Sequence, residues 1–318
     1  MKKALILGIT GQDGSYLADI LLERGYDVHG MVRRSSTGNL KNIEHNLPRL
    51  KLHNGDMSDP LSVQRIIAEV MPDEIYNEAD QDHVGFSYDT VSYSGDITGS
   101  AVGRLLEIVR TTCKTAKVFI PLSATMFGNA PAPQNVDTPF NPQSPYAVSK
   151  VAAYYWAKYY RERHGMFVTS AILYNHDSVR RTGDYLLHKL CKQAIALRGG
   201  ERTHIELGNF DARVDIGHAF AYMTAAYLSL QQSTPASIMI GSGRAWAIRD
   251  MAYTALASVG VSRTPGFESY LKTDTSFSLP RTTLMADLSH ANTWEFTHHL
   301  TSVESIIRSL VDFYGAKL

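Results

Sequence analysis

Cysteine is scarce in this chain, neither sign of charge is in excess, and no long apolar run occurs; each shortage removes a class of protein. Only two cysteines, Cys113 and Cys191, appear in 318 residues. They lie far apart and without metal-ligand spacing, so neither a disulfide framework nor a zinc site is expected, and a reducing cytoplasmic setting is. Lys+Arg and Asp+Glu are 31 each, for a formal net charge of zero. With no basic block there is no electrostatic case for a nucleic-acid partner or an anionic membrane surface. No apolar run approaches the roughly 20 residues of a membrane span, and Met1-Lys2-Lys3 runs into a short apolar stretch with no cleavage pattern. Internal repeats, low-complexity tracts and an evident linker are also missing.

What is present points to a globular α/β chain. Hydrophobic residues make up 44% and charged residues 19%, enough for a sizeable core. Short apolar segments read as strands at Ala4–Gly8, Asp27–Val32, Leu50–His53, Glu74–Asn77, Val118–Ser123 and Phe167–Tyr174, with helical patterns between most of them. Strands alternating with helices predict a Rossmann-type, doubly wound parallel sheet. Beyond Tyr174 the pattern is less regular, with a strand-like Ser237–Ile240 and a helix around Ser302–Tyr314. The expected division is a dinucleotide-binding domain over 1–175, to which segments near 210–240 return, and a smaller interleaved α/β substrate lobe over 176–318.

Gly8-Ile9-Thr10-Gly11-Gln12-Asp13-Gly14 falls between the first strand and the first helix. One glycine permits the tight turn, another lets the backbone approach a pyrophosphate, and the third lets helix and strand pack closely, with the helix N-terminus facing the phosphates. An ordinary Gly-rich turn is the alternative, but the strand–turn–helix context favours a dinucleotide site. NAD enzymes usually carry an acid about 20 residues further on. Here Arg33 and Arg34 stand there, so NADP is favoured and NAD is the alternative. Asp56, in Gly55-Asp56-Met57, can accept from the adenine amino group or simply make a turn.

Ser144-Pro145 opens a second helix that Gly165 ends, with Val148, Val151, Ala152, Tyr155 and Trp156 at apolar helical spacing. Tyr146 and Lys150 are i and i+4 and share a face. An ammonium beside a phenol favours the phenolate, the form that takes a hydroxyl proton as hydride leaves the same carbon. Lys150 can also reach cofactor ribose hydroxyls. A surface Tyr–Lys pair is the bland alternative. The pair lies about 130 residues past the glycine turn, and Ser123 ends a strand where its hydroxyl can hold a substrate oxygen, so Ser123, Tyr146 and Lys150 are read as a catalytic set.

Taken together, GITGQDGSYLA, DVHGMVRRSS, SPYAVSK, ILYNHDSVRR and LGNFDARVDIGHA resemble the GDP-mannose 4,6-dehydratase family of extended short-chain dehydrogenases. The resemblance covers most of the chain to about Arg249. It implies a GDP-sugar substrate, an NADP-type cofactor, and a homodimer or homotetramer. It assigns Gly8, Thr10, Gly11, Gln12, Asp13, Gly14, Arg33, Arg34, Asp56, Met57, Tyr146 and Lys150 to the cofactor, and Asn175, Lys189, Asn209, Arg213 and Arg249 to the sugar nucleotide. Arg180-Arg181 reads either as a phosphate partner or as a solvated patch. Tyr154, Tyr155, Trp156, Tyr159 and Tyr160 read either as a helix–helix dimer face or as core.

The departures from the family bear on the reaction. Its Ser/Thr-x-Glu carries the Glu that removes the C5 proton in dehydration; here that position is Thr125, and the stretch is similar to the epimerase SATVYG type. Three acids enter Glu78-Ala79-Asp80-Gln81-Asp82-His83-Val84, where the family reads Leu-Gly-Ala-Gln-Ser-His-Val. The late Arg-Pro-x-Glu element is eroded to Leu279-Pro280-Arg281-Thr282. The expected function is therefore hydride transfer at C4 of a GDP-hexose or GDP-heptose, as dehydrogenase, ketoreductase or epimerase. True 4,6-dehydration with Asp82 or Asp80 as substitute acid is the alternative, and a silent NADP or GDP-sugar binding protein is a third.

Overall fold

The computed structural model describes residues 1–35, 38–261, 266–274, 283–289 and 302–316. Leu279-Pro280-Arg281-Thr282 lies outside them. Thirteen strands are described: β1 (Lys3–Leu7), β2 (Asp27–Val32), β3 (Lys51–Asn54), β4 (Glu74–Asn77), β5 (Lys117–Ser123), β6 (Val168–Leu173), β7 (Asn175–Asp177), β8 (Ile205–Leu207), β9 (Arg213–His218), β10 (Ser237–Ile240), β11 (Ala245–Ala247), β12 (Leu271–Thr273) and β13 (Thr283–Leu284). The helices are α1 (Gln12–Glu23), α2 (Pro60–Val70), α3 (Val84–Asp89), α4 (Val91–Ser94), α5 (Ala101–Thr112), α6 (Pro145–His164), α7 (Leu186–Arg198), α8 (Ala219–Leu230), α9 (Ile248–Ser258) and α10 (Val303–Gly315).

Seven strands form one parallel sheet in the order β10-β6-β5-β4-β1-β2-β3. Strand order reverses between β1 and β4, which opens a crevice at their carboxyl ends. Ala4, Leu5, Ile6 and Leu7 of β1 are all fully buried. Both faces of this strand are covered by helices, which is why it reads as a continuous apolar run. β10 adds to β6, whereas β9 joins a separate small sheet with β7, β11 and β13. A second core forms from Leu187, Leu190 and Cys191 of α7, Met251 and Leu256 of α9, and Ile307 and Leu310 of α10.

Helix α6 corrects the sequence reading of its apolar face. Ser144 caps it, accepting from the Ala147 amide at 3.1 Å, Pro145 opens it, and Gly165 ends it at φ 61°. The side turned to the sheet carries Tyr146, Ala147, Ser149, Lys150, Ala153 and Ala157. The small residues let the helix sit close against the strands. Val148, Tyr155 and Trp156, three of the five residues at apolar helical spacing, are 56%, 58% and 40% exposed. The Tyr146–Lys150 pair and the large apolar stripe occupy different faces, and the former has the core.

Candidate active site

The site is built at the carboxyl ends of β1, β4 and β5. Gly8 follows β1 with φ +82°, and a Cβ there would lie 2.5 Å from the Glu78 carbonyl oxygen, so only glycine fits. Gly14 packs α1 onto the turn, where a Cβ would lie 2.7 Å from Ile9 Cα. Gly11 caps α1 without any side-chain bond, so no side chain competes for the helix N-terminus. The Thr10 carbonyl accepts from Asn42 Nδ2 at 3.2 Å, and Gln12 Oε1 accepts from the Ser178 hydroxyl at 2.9 Å. This cradle fits a pyrophosphate.

Asp13, in the first turn of α1, is paired with His176 of β7 at 3.0 Å, and His176 also bonds the Tyr174 carbonyl at 2.9 Å. Burial opposes the charge on Asp13, but His176 and Arg181 outweigh it and hold the carboxyl below its ordinary range. Burial likewise opposes the charge on His176, and Asp13 overcomes it and holds the imidazole above its ordinary value. Sequence reading did not find this pair. The partners are 163 residues apart, so no local pattern announces it.

The remaining cofactor candidates flank the crevice. Arg33 and Arg34 are exposed at the end of β2, where Arg33 donates to the Tyr93 hydroxyl at 3.0 Å. Asp56 makes the turn after β3, accepting from the Ser58 amide at 2.9 Å and its hydroxyl at 2.8 Å. Met57 is buried, and its carbonyl accepts from Arg104 at 3.3 Å.

Across the crevice, Tyr146 and Lys150 are buried at 7% and 4% exposure. The Lys150 ammonium lies 5.7 Å from the centre of the Tyr146 ring, donates to the Pro121 carbonyl at 2.8 Å, and forms an ion pair with Asp80. The Lys150 ammonium favours the phenolate, but it is outweighed. Burial holds Tyr146 above the ordinary phenol value; Lys150 and the Ser123 hydroxyl pull it down, while Asp80 and Asp82 push it up. The same contact bears on the charge of Lys150. Burial disfavours its charge, but Asp80 more than compensates and raises its proton affinity. Glu78, after β4, is half-buried, with Oε1 buried and unpartnered among the described residues. Burial, then repulsion from Asp13, pushes its carboxyl well above the ordinary range, against the pull of Lys150.

Ser123 ends β5 as expected. Its hydroxyl lies 2.9 Å from the Thr125 hydroxyl and accepts from the Thr125 amide at 3.2 Å. Asp82 faces the other way, accepting from Arg181 at 2.9 Å and from the Tyr185 hydroxyl at 2.8 Å. Arg180 pairs with Asp19 at 2.6 Å, with its guanidinium 4.0 Å from the Tyr16 ring centre. Arg180-Arg181 is thus not a solvated patch.

The substrate candidates are only partly brought together. Asn209 Oδ1 accepts from the Asp211 and Ala212 amides at 2.9 and 3.2 Å, and Arg249 pairs with Asp211 at 3.1 Å and with Glu268. Arg213 is exposed on β9 and donates to the Ala245 carbonyl at 3.0 Å. Asn175 and Lys189 are exposed, and among the described residues no side-chain hydrogen bond or ion pair ties them to this group.

A parallel sheet in this order, a glycine turn at its switch point, and a Tyr–Lys helix facing a strand-end serine define an enzyme of the short-chain dehydrogenase class, epimerase/dehydratase branch. The profile of the GDP-mannose 4,6 dehydratase family matches residues 5–285, and the chain belongs to that family. It is 35% identical over 325 residues to GDP-mannose 4,6 dehydratase 1 of Arabidopsis thaliana, spanning 98% of this chain and 89% of the plant protein. Among solved structures, dTDP-glucose 4,6-dehydratase of Bacillus anthracis in complex with NAD has TM-score 0.83 at 17% identity, covering 99% of this chain and 97% of that one. RMD of Pseudomonas aeruginosa complexed with NADPH has TM-score 0.78 at 17% identity, covering 99% and 100%. Among the described residues no helix is long and apolar enough to cross a membrane.

Proposed function

We propose that the protein transfers hydride at C4 of a GDP-hexose or GDP-heptose, interconverting alcohol and ketone without removing the 6-hydroxyl. One observation carries the reading. At the family's base position stands Thr125, whose hydroxyl closes on Ser123 at 2.9 Å. A threonine hydroxyl does not abstract a C5 proton near neutral pH. Of the neighbouring acids, Asp80 is engaged by Lys150 and Asp82 by Arg181 and Tyr185, while burial and Asp13 hold the Glu78 carboxyl well above its ordinary range.

In this reading Ser123 holds the C4 oxygen and Tyr146 exchanges a proton with it. NADP supplies the hydride acceptor or donor when bound, with NAD the alternative. The Gly8–Gly14 turn and the uncapped end of α1 would hold its pyrophosphate, and Arg33 and Arg34 stand where a 2′-phosphate would sit. Asn175, Lys189, Asn209, Arg213 and Arg249 are the proposed sugar-nucleotide contacts. Arg249 would have to leave an acid to serve.

Family membership favours a second reading, 4,6-dehydration. It requires Asp80 or Asp82 to break its ion pair and reach C5–H. The two readings part on one incubation in deuterated water with GDP-mannose or a GDP-heptose, with NADP, and with the matching 4-ketones and NADPH. The expected result is nicotinamide oxidation or reduction with no deuterium at C5 and no loss of water. Tyr146→Phe should lower that rate by roughly 10²–10⁴-fold. Wash-in at C5 with water loss would replace the first reading by the second, and absence of any hydride transfer would remove both.

We also propose a cytoplasmic homodimer or homotetramer. The two buried thiols, Cys113 and Cys191, are free, as a reducing compartment keeps them. Tyr155, Trp156 and Tyr159 form an exposed aromatic face on α6, the composition of an interface core. Light scattering should report more than one copy, and Trp156→Glu should reduce that mass.

A further inference from the structure

Asp80 forms an ion pair with Lys150 beside the phenol of Tyr146. Lys150 sits on the buried side of α6 at 4% exposure and already donates to the Pro121 carbonyl. The Asp80 side chain is 14% exposed, and its second oxygen, Oδ1, is buried without a partner among the described residues. A carboxylate taken out of water and left half-bonded is costly unless it acts on its neighbour. Its neighbour is the cation on which the phenol of Tyr146 depends.

We propose that Asp80 is a positioning residue that engages the Lys150 ammonium and so keeps Tyr146 in its proton-donating form, setting the protein to reduce 4-keto nucleotide sugars. The inference rests on the C4 oxidoreductase reading and gives it a direction. The charged and titratable groups around the phenol are Lys150 on its own helix and Asp80 and Asp82 from the segment after β4, with Glu78 beside Lys150 and Asp80. Asp82 is itself neutralised by Arg181. Burial disfavours the phenolate first, Lys150 opposes it, and Asp80 and Asp82 work against Lys150, so that the phenol is held in its protonated form.

A protonated phenol is competent for one direction only. In reduction, the C4 carbonyl carbon takes hydride from a reduced nicotinamide dinucleotide while its oxygen takes the Tyr146 proton. A C–H and an O–H bond form, the carbonyl π bond breaks, the sugar is reduced and the nicotinamide oxidised. The tyrosinate left behind is reprotonated from solvent. Oxidation needs the phenolate first, and Asp80 adds to burial in making that form rare. Asp80 does not alter the equilibrium between alcohol and ketone. It decides which direction finds the protein in the competent protonation state at neutral pH.

The test is a pH titration of the cofactor-free protein, following the tyrosine Cζ signals by ¹³C NMR and assigning Tyr146 by its loss in Tyr146→Phe. In the wild type the Tyr146 signal should remain protonated through the ordinary phenol range, near pH 10. In Asp80→Asn and Asp80→Ala its midpoint should fall by about 1–3 units, the usual effect of one adjacent charge. The alkaline limb of ketone reduction should move down by the same amount, and alcohol oxidation at neutral pH should rise about tenfold per unit. A Tyr146 midpoint unmoved in both variants, or a wild-type midpoint below the ordinary value, overturns the inference and leaves the oxidoreductase reading standing. A shifted midpoint with no hydride transfer to or from any GDP-sugar ketone or alcohol overturns that reading, and the direction assigned here falls with it.

Discussion

Two walls of one crevice are made in different ways. The β1–α1 turn is a matter of backbone: Gly8 at positive φ, Gly14 against Ile9, and an uncapped helix end. Its function follows from where peptide groups can go, and residue type is dictated by space. The β4–α3 segment is a matter of side chains: Glu78, Asp80 and Asp82 each meet a different partner or none. Its chemistry follows from which charges are paired. The first kind of wall tolerates almost no substitution, whereas the second can be rewritten without disturbing the fold. A family can therefore keep its cofactor cradle and alter its reaction by changing the acids opposite.

The comparison breaks hardest at Gly8. Gly8→Ala places a Cβ 2.5 Å from the Glu78 carbonyl oxygen at φ +82°. Strain and overpacking together should cost roughly 2–5 kcal/mol and remove cofactor binding. Gly25→Ala is the control, since that glycine also has positive φ (+76°) but open space around it. It should cost about 1 kcal/mol and leave binding intact. Equal losses of Tm in the two variants would mean that conformation alone, and not contact between the walls, fixes Gly8.

The next effect in size tests the tie that clasps the first wall to β7. His176→Gln leaves Asp13 buried without its partner and should cost roughly 2–4 kcal/mol, somewhat less than a fully buried pair because Asp13 keeps some contact with solvent. The pH dependence has a definite sign. His176 is held above its ordinary value of about 6.5, so its contribution is fully present below that pH and is lost as pH rises through the raised folded value. Asp13 is held below about 3.9, so its contribution is present above that pH and is lost as pH falls through the lowered value. The Tm gap between wild type and variant should be widest at about pH 5–6 and narrow on the alkaline side. A gap that widens with pH would show that the pair is not ionic.

These two walls also mark what a sequence discloses. The glycine spacing, the strand before it and the helix after it are local, so the sheet, the turn and the Ser123, Tyr146 and Lys150 positions could be read in order. The Ser144 cap and the Gly165 stop of α6 were equally local. The buried face of that helix was not, because large apolar residues at helical spacing predict a core stripe whichever way the helix is turned. Lys150 was legible as a cation near a phenol, but the burial that outweighs it, and its partner Asp80 on another strand's exit, were not. The acids of 78–82 were visible as unusual residues. Whether each is paired, neutral or exposed depends on Lys150, Asp13 and Arg181, which the chain brings from far away.

The smallest effect sharpens the second wall. Asp82 is about half exposed, and its bond to Arg181 is a surface pair, worth at most about 1 kcal/mol. Arg181 keeps its bond to the His176 carbonyl at 2.8 Å when Asp82 is gone. Asp82→Asn should therefore change Tm by only a few degrees, about 2–4 °C at most for a chain of this size. Hydride transfer should persist, since Asp82 touches neither Ser123 nor Lys150 through any hydrogen bond among the described residues. Its one expected trace is on Tyr146, whose phenol Asp82 helps to hold up more weakly than Asp80 does. The alkaline limb of the rate profile should move down, by less than in Asp80→Asn. A larger movement than in Asp80→Asn would exchange the roles of the two acids. Loss of deuterium exchange at C5 in Asp82→Asn, where the wild type shows it, would make Asp82 the base of a dehydratase.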